Sequence, residues 1–284
     1  NLCRRGCLRV MPKRTLHICT VGTSLLSNIE KGTKKVEEMG FKDWWRLPGD
    51  DPRQEQLFAR AKKGDPLFEL ALEFVRAEGQ RASAELSTLL HPNIVDKTQD
   101  EVRLYPTYTG NSFFASMVLY VYLREKGYTV HDPSQTRLMK TQLDFEDEFG
   151  GVLHSLMDKV GGDIASYSKK GWSVYIHATA GFKAESSFMV IVGSLMGADL
   201  ILYKHESFSG IVELPTLRLR VDDGLIKELK EFSRGPVPVA VAKGLSLSPY
   251  ALDELKALGY IRETASGYVL REWVKRYLEI VGVV

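Results

Sequence analysis

The 284-residue chain has few cysteines, no long apolar run and no marked excess of either charge, and each shortage removes a class of protein. Its three cysteines, Cys3, Cys7 and Cys19, are an odd number, and Cys19 falls inside an apolar strand pattern. That argues against a disulfide framework and for a reducing, cytoplasmic location. The longest apolar stretch, Phe188 to Tyr203, is interrupted by Ser194 and Asp199, so no membrane span is expected. The common nucleotide and nucleophile signatures are missing as well. There is no GxxxxGKS/T loop, no complete GxGxxG after a strand, and no GxSxG elbow.

The small positive charge belongs to one place. Arg4, Arg5, Arg9, Lys13 and Arg14 occur in the first fourteen residues without an acidic residue; removing these five turns the formal net charge of +2 into −3 for residues 15–284. This tail reads as an extension ahead of a start at Met11, with a nucleic-acid arm as the alternative. No apolar core precedes Met11, as a secretory signal would require.

What is present is an alternation of strand and helix patterns. The central one runs from Trp172 to Val190: Trp172, Val174 and Ile176 alternate with polar residues as a strand, Thr179-Ala180-Gly181 breaks it, and Ala184 to Leu195 reads as a buried helix. A tight strand-to-helix turn offers free N–H groups and the positive end of a helix dipole to an anion. Lys183 stands in that first turn, where a cation is disfavoured unless it has work to do; a solvated surface lysine is the plainer reading. The same pattern occurs at Thr15 to Val21, followed by Gly22-Thr23-Ser24 and a helix, with Ser24 readable as a simple N-cap. It occurs again at Glu101 to Tyr108, where Pro106 ends the ladder, Thr109-Gly110-Asn111-Ser112 forms the turn, and Phe113 to Lys126 forms the helix.

Between these units, Gln54 to Lys63, Pro66 to Glu78 and Gln80 to Leu90 have helical spacing, and Trp44 and Trp45 read as loop anchors before bases are considered. Tyr128 to His131 and Ala198 to Lys204 read as strands, and Val212 to Val221 as an extended segment. Leu143 to Ser168 reads as helix. Its acidic start, Asp144, Glu146, Asp147 and Glu148, suits the helix dipole better than a metal, since His154 falls two turns away. The whole predicts a doubly wound, mostly parallel α/β domain over residues 15–234.

After the Gly- and Pro-rich stretch around Ser233 to Pro238 the pattern changes. A helix opening at Ser248-Pro249 and ending at Gly259, a two-stranded turn, and a helix from Arg271 to Ile280 predict a winged helix-turn-helix over residues 235–284. From Val237 onward, six basic and five acidic residues leave a net charge of +1. A DNA reader needs a basic footprint, so packing or dimerisation is favoured over DNA binding.

The three polar turns around Ser24, Thr109 and Lys183 should meet at the carboxyl edge of one sheet, forming a site for phosphates that needs neither metal nor cofactor. On the turns Val21-Gly22-Thr23-Ser24 and Ala178-Thr179-Ala180-Gly181-Phe182-Lys183-Ala184-Glu185, with the C-terminal module, the chain resembles the CARF-domain proteins of type III CRISPR systems, particularly the stand-alone ring nucleases. The resemblance implies a Rossmann-like homodimer that binds cyclic tetra-adenylate and cleaves it to linear di-adenylates with 2′,3′-cyclic phosphate ends. It implies Ser24 and Lys183 as active-site residues. The three polar turns themselves supply Gly22, Thr23, Thr109, Gly110, Asn111, Thr179, Gly181 and Phe182 as candidate ligand contacts. A further family arginine is not placed among Arg103, Arg124 and Arg137.

Two alternatives come from other classes. Arg124 and His131 have the spacing of a HEPN ribonuclease motif but straddle Gly127 and a strand start, which makes the match accidental. A ligand-responsive transcription factor would use the C-terminal module on DNA. His177, just before the third turn, is readable as an acid or base but better as a hydrogen-bonded core histidine.

Overall fold

Strand β1 (Thr15–Val21) is buried along its whole length, as only a strand covered on both faces can be. Its side chains alternate between two cores: Leu16 and Ile18 belong to one apolar cluster, Cys19 and Val21 to the other. The computed structural model describes residues 13–138, 148–179, 183–204, 210–217, 219–245 and 252–284, the side chains of 148–150, 152 and 183–185 excepted.

Helices α1 (Ser24–Gly32), α2 (Lys35–Glu38), α3 (Arg53–Arg60), α4 (Pro66–Glu78) and α5 (Ala84–Leu89) follow β1. Then come β2 (Glu101–Pro106), α6 (Gly110–Glu125), β3 (Thr129–Val130) and α7 (Pro133–Thr136). A run of α8 (Glu148–Leu156), a π-helical turn (Met157–Gly161) and α9 (Gly162–Lys169) leads to β4 (Ser173–His177). Helix α10 (Lys183–Met196), β5 (Leu200–Tyr203), β6 (Val212–Leu214) and α11 (Asp223–Glu231) complete this part. The C-terminal segment contains α12 (Val239–Gly244), α13 (Leu252–Ala257), the β7 (Ile261–Thr264) and β8 (Gly267–Leu270) hairpin, and α14 (Glu272–Ile280).

The sheet order is β3-β2-β1-β4-β5-β6, parallel throughout except for β6. This is the expected α/β architecture with a mostly parallel sheet. The order reverses at β1, whose neighbours are the next strand in sequence, β2, and the more distant β4.

One face is covered by α1 to α6, with Leu26, Phe68 and Phe114 fully buried against Cys19 and Val21. The other is covered by α8 to α11 and by the C-terminal segment, whose Leu255, Ile261, Val274 and Leu278 share a cluster with Leu16 and Ile18. Residues 252–284 therefore bury their apolar side chains in the same cluster as the sheet. Helix α14 packs on α8 and on the π turn, and Arg276 Nε donates to Asp158 Oδ1 at 2.7 Å.

Local chemistry explains where the elements depart from the sequence patterns. The helix expected over Gln80 to Leu90 is a 3-10 turn followed by α5, because Gly79 ends α4 at φ 56° and Ser83 starts a new helix by accepting from Leu86 N–H. The extended segment expected to reach Val221 is a strand only over Val212–Leu214, since Pro215 cannot donate to the ladder. Trp44 is fully buried and its indole N–H donates to the Leu26 carbonyl at 2.8 Å, so it anchors a loop. No described helix is long and apolar enough to cross a membrane.

A backbone bridge joins Val237 to Tyr268 and lies so close to Gly267 that an added Cβ would stand 2.1 Å from the Val237 carbonyl oxygen, at φ +127°. Gly267→Ala is expected to cost about 1–3 kcal/mol or more, from overpacking and backbone strain together. Urea denaturation followed by tryptophan fluorescence should show a lowered midpoint, and an unchanged one would refute the close approach.

Candidate functional site

Because β2, β1 and β4 are adjacent and parallel, the turns that follow them open on the same edge of the sheet. The border between β1 and β4 is the point where strand order reverses, the usual ligand crevice of open α/β sheets. Gly22, Thr23 and Ser24 flank it from one side, and Thr179 and the start of α10 from the other.

The first turn already holds an anion of the protein's own. Helix α5 lies over β1 and β4, and its Glu85, only 1% exposed, accepts from Gly22 N–H at 2.8 Å and from the Ser24 hydroxyl at 3.1 Å. Ser24 Oγ in turn accepts from Ala84 N–H at 3.0 Å. Ser24 is thus held by another helix instead of capping its own, since the N-cap of α1 is Thr23 with no side-chain cap bond. The hydroxyl proton and one lone pair are used, leaving one lone pair as an acceptor.

The second turn is tied to the first. The Ser112 hydroxyl donates to the Val21 carbonyl at 2.7 Å and accepts from Thr107 N–H at 3.0 Å. Thr107 and Thr109 share a hydrogen bond between their hydroxyls at 2.7 Å, and Thr109 is half-buried at the edge. Gly110 and Asn111 point into packing. A Cβ on Gly110 would lie 1.9 Å from the Gln54 carbonyl oxygen, and Asn111 is buried, with its backbone N–H on Gln54 Oε1 and its amide on the Trp44 carbonyl.

At the third turn, Thr179 Oγ1 accepts from Lys204 N–H at 3.0 Å. Gly181 and Phe182 lie outside the described residues, as does the side chain of Lys183. The backbone of Lys183 opens the fourteen-residue helix α10, so its N–H belongs to the positive end of a helix dipole. Lys204, which sequence reasoning passed over, reaches this region too, with its amine 3.5 Å from the Ser87 carbonyl on α5.

Beneath the site runs a buried polar chain. Asp100 accepts from Thr15 N–H and Asp96 N–H and lies 3.3 Å from His17 Nε2; His17 Nδ1 lies 2.9 Å from His177 Nε2. If the carboxylate takes the His17 Nε2 proton, His17 Nδ1 must accept from His177 Nε2–H, leaving His177 Nδ1 a buried acceptor without a partner. His177 is fully buried, and burial followed by the charge of His17 holds its pKa well below 6.5.

The arginines left open by the sequence separate. Arg103 forms an ion pair in which Nη1 donates to both carboxylate oxygens of Asp163, which also accepts from Tyr105. Arg124 is exposed at the end of α6, and His131 is bound to Glu101 at 2.8 Å. Arg137 lies at the carboxyl edge, with its guanidinium on the Tyr108 carbonyl at 3.0 Å. Among the described residues no group of three His, Cys, Asp or Glu could hold a metal ion; Asp144, Glu146 and Asp147 lie outside those residues. A cavity of 360 Å³, lined in part by Lys13, Trp172, Asp199 and Arg220, sits at the opposite, amino-terminal edge and has no part in the site.

Residues 80–217 match the family model described as CRISPR-associated protein (Cas_APE2256). The similarity to CRISPR-associated proteins spans α5 to β6. It therefore includes Glu85, Thr109 and Lys183 and stops short of Ser24 and the C-terminal segment.

Two outcomes follow. Glu85→Ala leaves the Gly22 N–H without its acceptor at a half-buried position, which should cost about 1–3 kcal/mol in chemical denaturation; unchanged stability would show that the contact is incidental. His177 is neutral when folded but titrates near 6.5 when unfolded, so the unfolded chain binds the extra proton and stability falls as pH drops below about 6.5. His177→Gln should flatten that part of the stability profile, and an equally steep slope in the variant would exclude His177 as its source.

Proposed function

We propose that the chain is a metal-independent ring nuclease that binds cyclic tetra-adenylate at the carboxyl edge of the sheet and cleaves it to linear di-adenylates ending in 2′,3′-cyclic phosphate. The observation that carries the reading is the meeting, at the β1–β4 reversal point, of a polar turn bearing Ser24 with a helix N-terminus bearing Lys183. The similarity to CRISPR-associated proteins supports the biological setting, and the resemblance of the two turns to ring nucleases supports the ligand and the reaction.

The chemistry asks little of the protein. A ribose 2′-hydroxyl attacks the neighbouring phosphorus and the bond to the 5′-oxygen breaks; the 2′-oxygen gives its proton to water, the 5′-oxygen takes one from water, and the nucleophile belongs to the substrate. The protein must hold the attack in line and stabilise charge on phosphoryl oxygens. Lys183 and the α10 N-terminus supply positive charge. Ser24 has its proton on Glu85 and one lone pair on Ala84 N–H, so what it has to offer a ligand is an acceptor. That suits a ribose hydroxyl better than a phosphate oxygen, and assigns Ser24 to holding the nucleophile and Glu85 to holding Ser24.

A two-fold homodimer would present matching edges to the repeating phosphates of the ring. The C-terminal segment, read as a winged helix, serves packing in this proposal. Exposed Asp253 and Glu254 on α13 offset Lys256, which is paired to Glu263 at 2.7 Å, so this surface lacks the basic footprint that would favour a transcription factor.

Single-turnover incubation with cyclic tetra-adenylate and a chelator tests the reading. Cleavage by the wild type should fall about a hundredfold or more in Lys183→Ala, as when one oxyanion donor is lost, with a smaller loss of binding. Ser24→Ala and Glu85→Gln should also slow cleavage, while sedimentation with the ring present should give the mass of two protomers. Wild-type rates in folded Lys183→Ala and Ser24→Ala, or no product at all, would remove the assignment.

A further inference from the structure

Arg137 occupies an unusual position for a cation. Its main chain crosses the carboxyl end of β2, where Leu138 N–H donates to the Pro106 carbonyl at 2.9 Å. From one face of the sheet, Lys159 of the π turn donates its ammonium to the Arg137 carbonyl. On the other, the guanidinium lies 4.0 Å above the ring of Phe58 on α3 and near Phe113 of α6. The residue therefore straps the two helical layers together across the edge that carries Thr107, Tyr108 and Thr109.

Its charge is poorly compensated. A guanidinium has five N–H donors. One group is used on the Tyr108 carbonyl, and Nε is buried with no partner. Neither Arg137 nor Lys159 forms an ion pair with a described carboxylate: Glu55, whose charge Arg137 feels, is exposed, and Asp158 is taken by Arg276. Burial is the main cause lowering the pKa of both groups; at Lys159 the charge of Asp158 opposes it and that of Arg137 adds to it. Two half-buried cations held near each other with no paired carboxylate among the described residues are costly, and a buried donor without a partner calls for an explanation. The stacked aromatic ring covers one face of the guanidinium and does not engage its in-plane N–H donors.

We infer that Arg137, supported by Lys159, forms an anion subsite at the end of β2 that takes a phosphate group. It is separate from the Ser24 and Lys183 turns but shares their edge of the sheet. Phosphate fits because it offers several acceptor oxygens to a planar fork of donors and accepts charge from a second cation. That the phosphate belongs to a phosphodiester of a cyclic oligonucleotide rests on the function proposed above; the anion subsite itself rests only on the geometry.

The test uses the full chain and two probes, inorganic phosphate and cyclic tetra-adenylate. Millimolar phosphate should raise the melting temperature of the wild type above a chloride control of equal ionic strength. Arg137→Met should abolish that rise, Lys159→Met should diminish it, and Arg137→Lys, which keeps the charge should the methionine variant fold poorly, should retain part of it. Cyclic tetra-adenylate should bind Arg137→Met at least about tenfold more weakly, with a shallower salt dependence. A phosphate effect absent from the wild type, or equal in wild type and Arg137→Met, overturns the subsite. A phosphate effect that depends on Arg137, without any binding of the cyclic ring, upholds the subsite and removes the ring as ligand. Ring binding that is unaffected by Arg137→Met keeps the ring as ligand and overturns the assignment of its phosphate to Arg137.

Discussion

Everything at the candidate site depends on β1 pairing in parallel with β2 on one side and β4 on the other. Parallel pairing puts three strand ends on one edge, and the reversal of strand order at β1 opens the crevice between turns that are about 160 residues apart in the chain, as the His17 and His177 contact in the same two strands shows. The ladder also sets what lies beneath. His17 and His177 come from neighbouring strands of the β1–β4 ladder, and Asp100 reaches them from just before β2. The polar chain and the polar turns are two products of one strand arrangement.

The edge is built from charges that the fold leaves unevenly matched. Glu85 is brought onto the first turn by a short helix and satisfies donors there before any ligand arrives. Positive groups gather farther along: Lys204 beside α5, the α10 N-terminus, and Arg137 with Lys159 over β2. In the proposed reaction, a carboxylate that fixes a hydroxyl, with cations at a distance around it, would separate the task of holding a nucleophile from the task of holding phosphate. Where such charges are half-buried their interactions are stronger than in water, and so is the cost of leaving them unpaired.

The C-terminal segment is joined to this edge through one helical run. Asp158 and Lys159 are consecutive residues of the π turn; the first is gripped by Arg276 of α14, the second holds the carbonyl of Arg137. Gly161 in the same turn faces Met196 of α10 and Ile280 of α14, which an added Cβ would meet at 3.4 and 3.6 Å, ordinary contact distances. Consecutive residues of a helical turn point in different directions, so Asp158 and Lys159 serve different neighbours. Apolar burial shared with Leu16 and Ile18 supports the same attachment.

The sequence by itself determined the alternation of elements, the central place of β1, and the three polar turns, because period-two and helical spacing and the Gly, Pro and Thr breaks are local signals. It also marked Trp44 as an anchor and His177 as a core histidine, and the structure buries both. Tertiary structure alone decided what those turns contain. Gly110 and Asn111, attractive as turn residues, face Gln54 and Trp44 because α3 packs against α6. Glu85, Lys204 and Arg137 carry no motif. Glu85 reads as an ordinary residue of the helix expected over Gln80 to Leu90 until α5 lies over β1, and one arginine among three becomes distinct only when its neighbours are known. A charge acquires its role from the dielectric and the partners around it, and residues distant in sequence supply both.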